Sequence, residues 1–200
     1  AALKTVLVAS RVSKYGFFVM VPNTYVMSEQ TCIFASDDYA LFGLLQTSFH
    51  HAWARKMSSS LGTTLRYTPS SAFDTFPRPE ASLLGPVRTV AEELHGLRAQ
   101  VMKREGMGLT ALYNHLHNPE SALPGAAELR GLHEALDKAA AAAYGWSDLD
   151  MSHAFREVDY LPDNDNVRHT IAEPVRLEVL RRLTLLNKAR FEQEQAAAAS

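Results

Sequence analysis

The chain has 200 residues, of which 46% are hydrophobic and 21% are charged, and its formal net charge is −2 at pH 7. This composition is typical of a folded protein with one large domain or two small ones, and it excludes a disordered or fibrous chain. The slightly acidic balance offers nucleic acid no overall attraction, so DNA binding would depend on local positive charge.

Cys32 is the single cysteine, so the chain can form no internal disulfide. It lies in an apolar run, and we expect it to be buried. No apolar run approaches the roughly 18 to 20 residues of a membrane span, and no signal peptide is evident. We therefore predict a cytoplasmic protein with no membrane partner. Because the sequence enters an apolar run directly after its first residues, we expect it to be part of a longer protein.

Residues 1–36 have the composition of β-strands. Runs rich in Val, Phe, Tyr and Ile alternate with turn-forming residues, which is typical of short strands in a sheet. The predicted strands cover residues 5–9, 15–21, 25–27 and 31–35.

A helix should follow these strands. Asp37 or Asp38 offers an N-cap, and apolar residues then recur at three- and four-residue steps. We predict that the helix runs from Asp38 to Met57, with Arg55 and Lys56 at its exposed end. The residues expected to pack it onto the strands are Leu41, Leu45, Phe49 and Trp53.

The second half of the chain has the periodicity of α-helices. Pro77 and Pro79 forbid both a helix interior and a central strand, so we place a domain boundary near them. The predicted helices run from Val87 to Val101, from Leu109 to Leu116, from Leu129 to Tyr144, and onward from Pro174. In the last helix, the residues expected to face inward are Leu177, Leu180, Leu183 and Leu186, and residues 159–170 should form a loop or short hairpin.

These elements predict an α+β fold in two parts. Residues 1–82 should form a sheet with a packed helix, and residues 83–200 a mainly α-helical C-terminal domain. The sequence has no glycine-rich phosphate loop, no dinucleotide fingerprint and no Cys/His pattern with zinc spacing. The histidines are scattered, and neighbouring pairs in a helix would point in different directions. We therefore expect no metal site and no bound cofactor in this chain.

One segment has local positive charge. Residues 39–73 contain no Asp or Glu, but they include Arg55, Lys56 and Arg66 and a run rich in Ser and Thr from Ser58 to Thr68. Cationic side chains displace counterions from DNA, and hydroxyl groups contact phosphates or base edges. Composition alone leaves two interpretations open, namely a loop that contacts duplex DNA and an ordinary solvated connection between a helix and a strand.

The order of several short motifs resembles the C-terminal region of the type IIL, MmeI-like restriction-modification DNA adenine methyltransferases. Three of these motifs are IFASDDY at 33–39, FGLLQTS at 42–48 and the Arg66-Tyr67-Thr68 run. Further similar pieces continue to the end of the chain, among them Ala143-Tyr144-Gly145-Trp146. The resemblance implies a target-recognition domain over residues 1–82, followed by the helical C-terminus.

The resemblance also implies what the complete enzyme does. Such enzymes carry an upstream methyltransferase domain that binds S-adenosylmethionine and methylates adenine N6 through an Asn-Pro-Pro-Tyr type motif, with or without a nuclease domain. Here Asn118-Pro119 is followed by Glu120, so that motif is missing. We expect no catalytic residue and no cofactor in this chain, and we expect double-stranded DNA and the upstream domain of the same polypeptide as its partners.

The site residues follow from the resemblance together with the basic segment. Base-reading side chains in the family lie just before the Arg-Tyr pair, which here corresponds to 58–65. The predicted DNA backbone contacts are Arg55, Lys56 and Arg66, and the predicted base-readout positions are Ser59, Ser60, Gly62, Thr63 and Thr64. The alternative from another functional class is a helical protein-interaction module that docks a partner subunit, with the basic loop merely solvated.

Overall fold

The structure is a computed structural model that describes residues 3–62 and 64–198. Its fold is α+β, as predicted from the sequence. Three small antiparallel sheets and seven α-helices are present within the described residues.

The chain begins with four short strands. These are β1 (Thr5–Ser10), β2 (Val12–Ser13), β3 (Phe18–Pro22) and β4 (Thr31–Phe34). In the first sheet the order is β3-β1-β4, and the central residue Leu7 is paired with Met20 on one side and Phe34 on the other. Leu7 and Phe18 are almost fully buried, because this face of the sheet packs against helices.

Two of the strand predictions were wrong in detail. The predicted strand at 25–27 is absent: the Tyr25 N–H donates to the Pro22 carbonyl within a turn, and Val26 is fully exposed. The strand preference of Tyr25 and Val26 depends on packing against a buried surface, and these side chains have none to pack against. The strand predicted at 15–21 begins only at Phe18, because Gly16 adopts a positive φ of 67° and turns the chain first.

The predicted helix of residues 38–57 is divided into two helices. Helix α1 (Tyr39–Gln46) begins at Asp38, whose side chain accepts from the Ala40 N–H, as predicted for an N-cap. Helix α2 (Ser48–Met57) ends where the sequence predicted. Between them, buried Thr47 has an extended backbone and caps α2 through its hydroxyl, which accepts from the His50 N–H.

A β-hairpin follows α2 where the sequence analysis expected only a polar loop. Its strands are β5 (Ser59–Leu61) and β6 (Thr64–Arg66), and β2 pairs with the other edge of β6, so the second sheet has the order β2-β6-β5. A short helix, α3 (Pro69–Ala72), comes next. The hairpin strands lack the alternating apolar pattern of a longer strand, which is why the pattern did not predict them.

The C-terminal helices agree closely with the sequence prediction. They are α4 (Gly85–Glu105), α5 (Leu109–Leu116), α6 (Ala126–Ala143) and α7 (Glu173–Ala198). The antiparallel hairpin formed by β7 (Ala154–Glu157) and β8 (Val167–Thr170) precedes α7. In α7, Val179 and Leu183 are buried, whereas the prediction that Leu177 faces inward was wrong, since it is 51% exposed.

Helices α1 and α4 approach each other closely enough to join the two halves of the chain in one core. A Cβ added to Gly43 would lie 2.8 Å from the Ala91 Cβ and 2.9 Å from the Val87 Cγ1, so only glycine permits this contact. Farther along α4, buried Arg98 donates to the Phe18 carbonyl over 2.9 Å. None of the helices in the described part of the chain combines the length and apolar character needed to cross a membrane.

Candidate nucleic-acid interface

The β5–β6 hairpin presents two different faces. Residues directly opposite in an antiparallel pair lie on the same face, and Ser59 is opposite Arg66 while Ser60 is opposite Leu65. Leu65 is buried, so its face is directed toward the protein interior. Thr64 lies one residue before Leu65 and therefore shares the outer face with Ser59 and Arg66.

The turn of the hairpin is open to solvent. Gly62 has a positive φ of 62°, and no atom lies within 4 Å of the position that its Cβ would occupy. A Cβ at this position would therefore meet no residue other than its chain neighbours, and a residue that tolerates a left-handed backbone, such as Asn, would fit it best. The predicted base-readout residue Thr63 lies outside the described residues.

The base of the hairpin is held by hydrogen bonds on both sides. The Ser58 hydroxyl accepts from the Thr68 N–H over 3.1 Å, and the Ser71 hydroxyl donates to the Met57 carbonyl over 2.6 Å. The Tyr67 N–H donates to the carbonyl of Arg11, beside β2. An exposed hairpin with a fixed base can present side chains to a ligand without ordering itself at the moment of binding.

The three predicted cationic contacts have different surroundings. Lys56 and Arg66 are exposed at the end of α2 and on the outer face of β6. Arg55, expected at the exposed end of the helix, is half-buried instead. Its guanidinium lies 4.2 Å from the ring centre of Tyr160, and its Nε donates to the His51 Nε2 over 3.4 Å. Contact with an aromatic face explains why it turns away from solvent.

Arg55 also contributes to a cavity between the hairpin sheet, α2, α5, α6 and the β7–β8 hairpin. We call it the histidine cavity; it has a volume of about 110 Å³. Its lining includes the aromatic side chains of Tyr15, Phe17, Tyr67 and Tyr160. Six histidines also line it, namely His50, His51, His117, His133, His153 and His169.

Five of these histidines are held neutral by their surroundings. Burial is the main cause that lowers the pKa of His50, His51 and His133 to about 3 each. The pKa of His169 is lowered to about 4 by burial and then by His153 and Arg130, and that of His117 is also well below its ordinary value. Neutral imidazoles have one N–H and one acceptor nitrogen each, so they can bind polar groups without adding positive charge.

A buried carboxylate joins the cavity wall to the start of α2. Asp137, on α6, accepts from the Ser48 N–H over 2.8 Å, and its second oxygen lies 2.8 Å from the His153 Nε2. Asp137 is only 1% exposed. A carboxylate at the N-terminus of a helix satisfies one of the unpaired N–H groups there and interacts favourably with the helix dipole.

Known proteins match this arrangement in two ways. The family described as "MmeI, target recognition domain" matches residues 3–80, which include the sheet, α1, α2 and the hairpin. The matched segment is thus similar to the MmeI target recognition domain over about two fifths of the chain. No curated protein is similar enough to the chain to count as a relative.

The fold of the wider chain also has a solved counterpart. The structure of the type IIL restriction-modification enzyme MmeI in complex with DNA matches with a TM-score of 0.62 and 19% sequence identity. The match covers 94% of this chain and 22% of that one, so the chain spans about a fifth of the length of that enzyme. At this identity the likeness shows the fold, and it extends beyond residues 3–80 into the C-terminal helices.

Within residues 3–80, the structure brings some of the predicted site residues together. Ser59, Thr64 and Arg66 share the outer face of the hairpin, and Gly62 lies in its turn. Ser60 is exposed but lies on the same face as buried Leu65.

The histidine cavity was missed by the sequence analysis, which treated the histidines as scattered residues. They come from α2, α6 and β8, from the residue after α5 and from the residue before β7, so no spacing along the chain could have revealed them. Among the described residues, no group of three or more His, Cys, Asp or Glu side chains is placed to hold a metal ion.

Proposed function

We propose that this chain recognises a specific sequence in duplex DNA as the specificity part of a restriction-modification adenine-N6 methyltransferase. The observation that carries the proposal is the exposed β5–β6 hairpin within residues that match the MmeI target recognition domain. The solved enzyme of the same fold was determined in complex with DNA, which supports duplex DNA as the partner.

In this proposal the hairpin reads bases and the cations around it bind phosphates. Ser59, Gly62, Thr63 and Thr64 lie at or near base edges, where side chains meet donors and acceptors that differ between base pairs. Ser60 also contacts DNA near the base edges, although it lies on the inner face of the hairpin. Lys56 and Arg66 contact the sugar-phosphate backbone and set the register of the domain on the duplex.

The proposal extends to the polypeptide that carries this chain. Residues 1–82 form the target-recognition domain and residues 83–200 a helical domain that packs against it and against an upstream methyltransferase domain. That upstream domain would bind S-adenosylmethionine and would extrude the target adenine from the duplex. This chain would then bind the distorted duplex. The protein would act in the cytoplasm, where the DNA is.

The salt dependence of DNA binding tests the proposal. Each phosphate contact that is lost lowers the slope of log affinity against log salt by roughly 0.9. The Lys56→Gln/Arg66→Gln variant should therefore bind cognate and random duplexes more weakly and with a flatter slope. The matched control is Lys103→Gln/Arg181→Gln, which removes the same charges from exposed positions on α4 and α7. Equal slopes in the two variants would contradict the placement of DNA at the hairpin.

A helical docking module is the second candidate function. Helix α7 supports it, because Leu177, Leu185 and Phe191 are each more than half exposed, and exposed apolar side chains on one helix are typical of a protein interface. The same salt titration separates the two candidates. A docking module would show no steep salt-dependent affinity for DNA, and substitution of Leu185 by Ser would abolish binding of its protein partner.

A further inference from the structure

The charged side chains that line the histidine cavity are all cationic. Among the described residues, the cavity is lined by four cationic side chains and by no carboxylate. These cations are Lys14, Arg55, Arg130 and Arg168. Such a wall is unusual, because buried charges are ordinarily paired.

Two more guanidinium groups lie near that of Arg55: Arg168 lines the cavity, and Arg176 faces the ring of Tyr160, as Arg55 does. Burial is the main cause that lowers the pKa of Arg55, and Arg168 and Arg176 lower it further by their charge. Arg176 is paired with Glu173 at 2.5 Å. Arg55 forms no ion pair within the described part of the chain, although it is half-buried. The repulsion between these groups would be relieved by an anion.

The remaining cations differ in how far their charge is already compensated. Asp165 lies 2.9 Å from the Lys14 Nζ and 3.4 Å from the Arg168 Nη1, so one carboxylate serves both. Arg168 is 6% exposed, and its Nη2 has no hydrogen-bond partner. Arg130 donates to three backbone carbonyls of residues 115–118, which occupies its guanidinium. Arg55 and Arg168 are therefore the cations whose guanidinium groups can still bind an anion.

Imidazole rings add hydrogen-bonding groups to the wall. His51 accepts from the Arg55 Nε at its Nε2 and His117 accepts from the His169 N–H at its Nδ1, so the other nitrogen of each neutral ring carries an N–H that can donate. The side chain of His153 is 3% exposed; its Nε2 faces Asp137 and its Nδ1 has no partner. A buried polar nitrogen without a partner is uncommon in native proteins and often indicates a missing ligand or water. One water molecule needs roughly 10 to 15 Å³ of such a cavity. A cavity of about 110 Å³ thus has room for a phosphate group.

We propose that the histidine cavity binds a phosphate group, with Arg55 and Arg168 as its cationic ligands and neutral imidazole N–H groups as additional donors. Arginine suits this role because its planar guanidinium donates two parallel hydrogen bonds to phosphate oxygens. The phosphate group belongs either to the DNA backbone or to a free anion. The DNA source rests on the proposed function, whereas the free-anion source does not.

Histidine ring signals in NMR spectra test the proposal directly on the wild-type chain. Inorganic phosphate is titrated at constant ionic strength and pH, with chloride as the replaced ion. We expect saturable shifts in the rings of the cavity histidines. His95 and His115 do not line the cavity and are internal controls whose signals should stay in place. Absence of saturable shifts, or equal shifts in all rings, would overturn the proposal.

Substitutions then identify the cationic ligands. Hydrogen bonds to charged groups are strong enough that Arg55→Met and Arg168→Met should each weaken phosphate binding about ten- to hundredfold. Arg181→Met is the matched control, because Arg181 is exposed and paired with Glu178 on α7. Arg168 is buried, so circular dichroism checks that its variant is folded. If the Arg168→Met variant is unfolded, the test rests on Arg55, which is partly exposed. Unchanged phosphate affinity in a folded Arg55→Met variant would overturn the proposal.

Duplex DNA distinguishes the two sources of the phosphate group. If the cavity takes a backbone phosphate, DNA shifts the same histidine signals, and the Arg55→Met variant has a salt slope flatter by roughly 0.9. If it takes a free anion, DNA affinity and slope are unchanged while inorganic phosphate still binds. A chain that binds phosphate at the cavity but binds no DNA would contradict the proposed function and leave this site in place.

Discussion

Asp137 on α6 connects the helical half of the chain to the start of α2, so its removal should be costly. Its two carboxylate oxygens face the Ser48 N–H and the His153 Nε2, each at 2.8 Å, in a site where Asp137 is only 1% exposed. Asp137→Ala would leave the Ser48 N–H and the His153 ring without this partner. Removing one partner of a buried hydrogen bond costs about 1 to 3 kcal/mol for each group left unsatisfied, so the loss of these two contacts should cost about 2 to 6 kcal/mol. We expect the free energy of unfolding to fall by that amount.

Urea denaturation followed by circular dichroism measures this loss, provided that the slope with urea is unchanged. Asp150→Ala is the matched control, since Asp150 is exposed and its carboxylate accepts from the nearby Ser152. That variant should lose less than about 1 kcal/mol. Equal losses in the two variants, both below about 1 kcal/mol, would refute the account of Asp137 as the link between α6 and α2.

Two further predictions concern the core and pH. Trp53 is fully buried and its Nε1 donates to the Thr75 hydroxyl, so Trp53→Ala should cost about 3 to 5 kcal/mol in urea denaturation; a loss under about 1 kcal/mol would contradict its packing. Burial lowers the pKa of His50 to about 3 in the folded chain, whereas the ordinary value of about 6.5 applies in the unfolded chain. Between these two pH values His50 is protonated in the unfolded chain but neutral in the folded chain, so lowering the pH favours unfolding. Stability should therefore fall by about 2 kcal/mol from this residue between pH 7 and pH 5, and a His50→Asn variant should lose that part of the pH dependence.

Local signals were sufficient for much of the fold. The Asp38 cap, the burial of Leu45, Phe49 and Trp53, and the C-terminal helices were all predicted from short-range patterns. The division of the helix at Thr47 was not, because the apolar period continues through it. The break is stabilised by contacts from far along the chain, as when the Asp137 carboxylate accepts from the Ser48 N–H. Such tertiary contacts can override local helical preference.

The candidate site divides in the same way. The absence of Asp and Glu from residues 39–73 indicated a basic segment, and the resemblance to the family indicated where bases would be read. The face on which each hairpin residue lies depends on strand register, which short polar strands specify weakly. The cavity with Arg55 and Arg168 could not be predicted at all, because those residues meet only when α2 and β8 pack together.

The recognised DNA sequence is the most direct test of the central claim. Gly62→Asn with Thr64→Arg adds long polar side chains at the turn and on the outer face of the hairpin, and Asn tolerates the positive φ at 62. In the polypeptide that carries this chain, a survey of N6-methyladenine by sequencing should show a changed base preference at one or two positions. A good bidentate contact discriminates between bases by about 1 to 3 kcal/mol, which is sufficient for such a change. An unchanged motif with full methylation would contradict the claim that this hairpin reads bases.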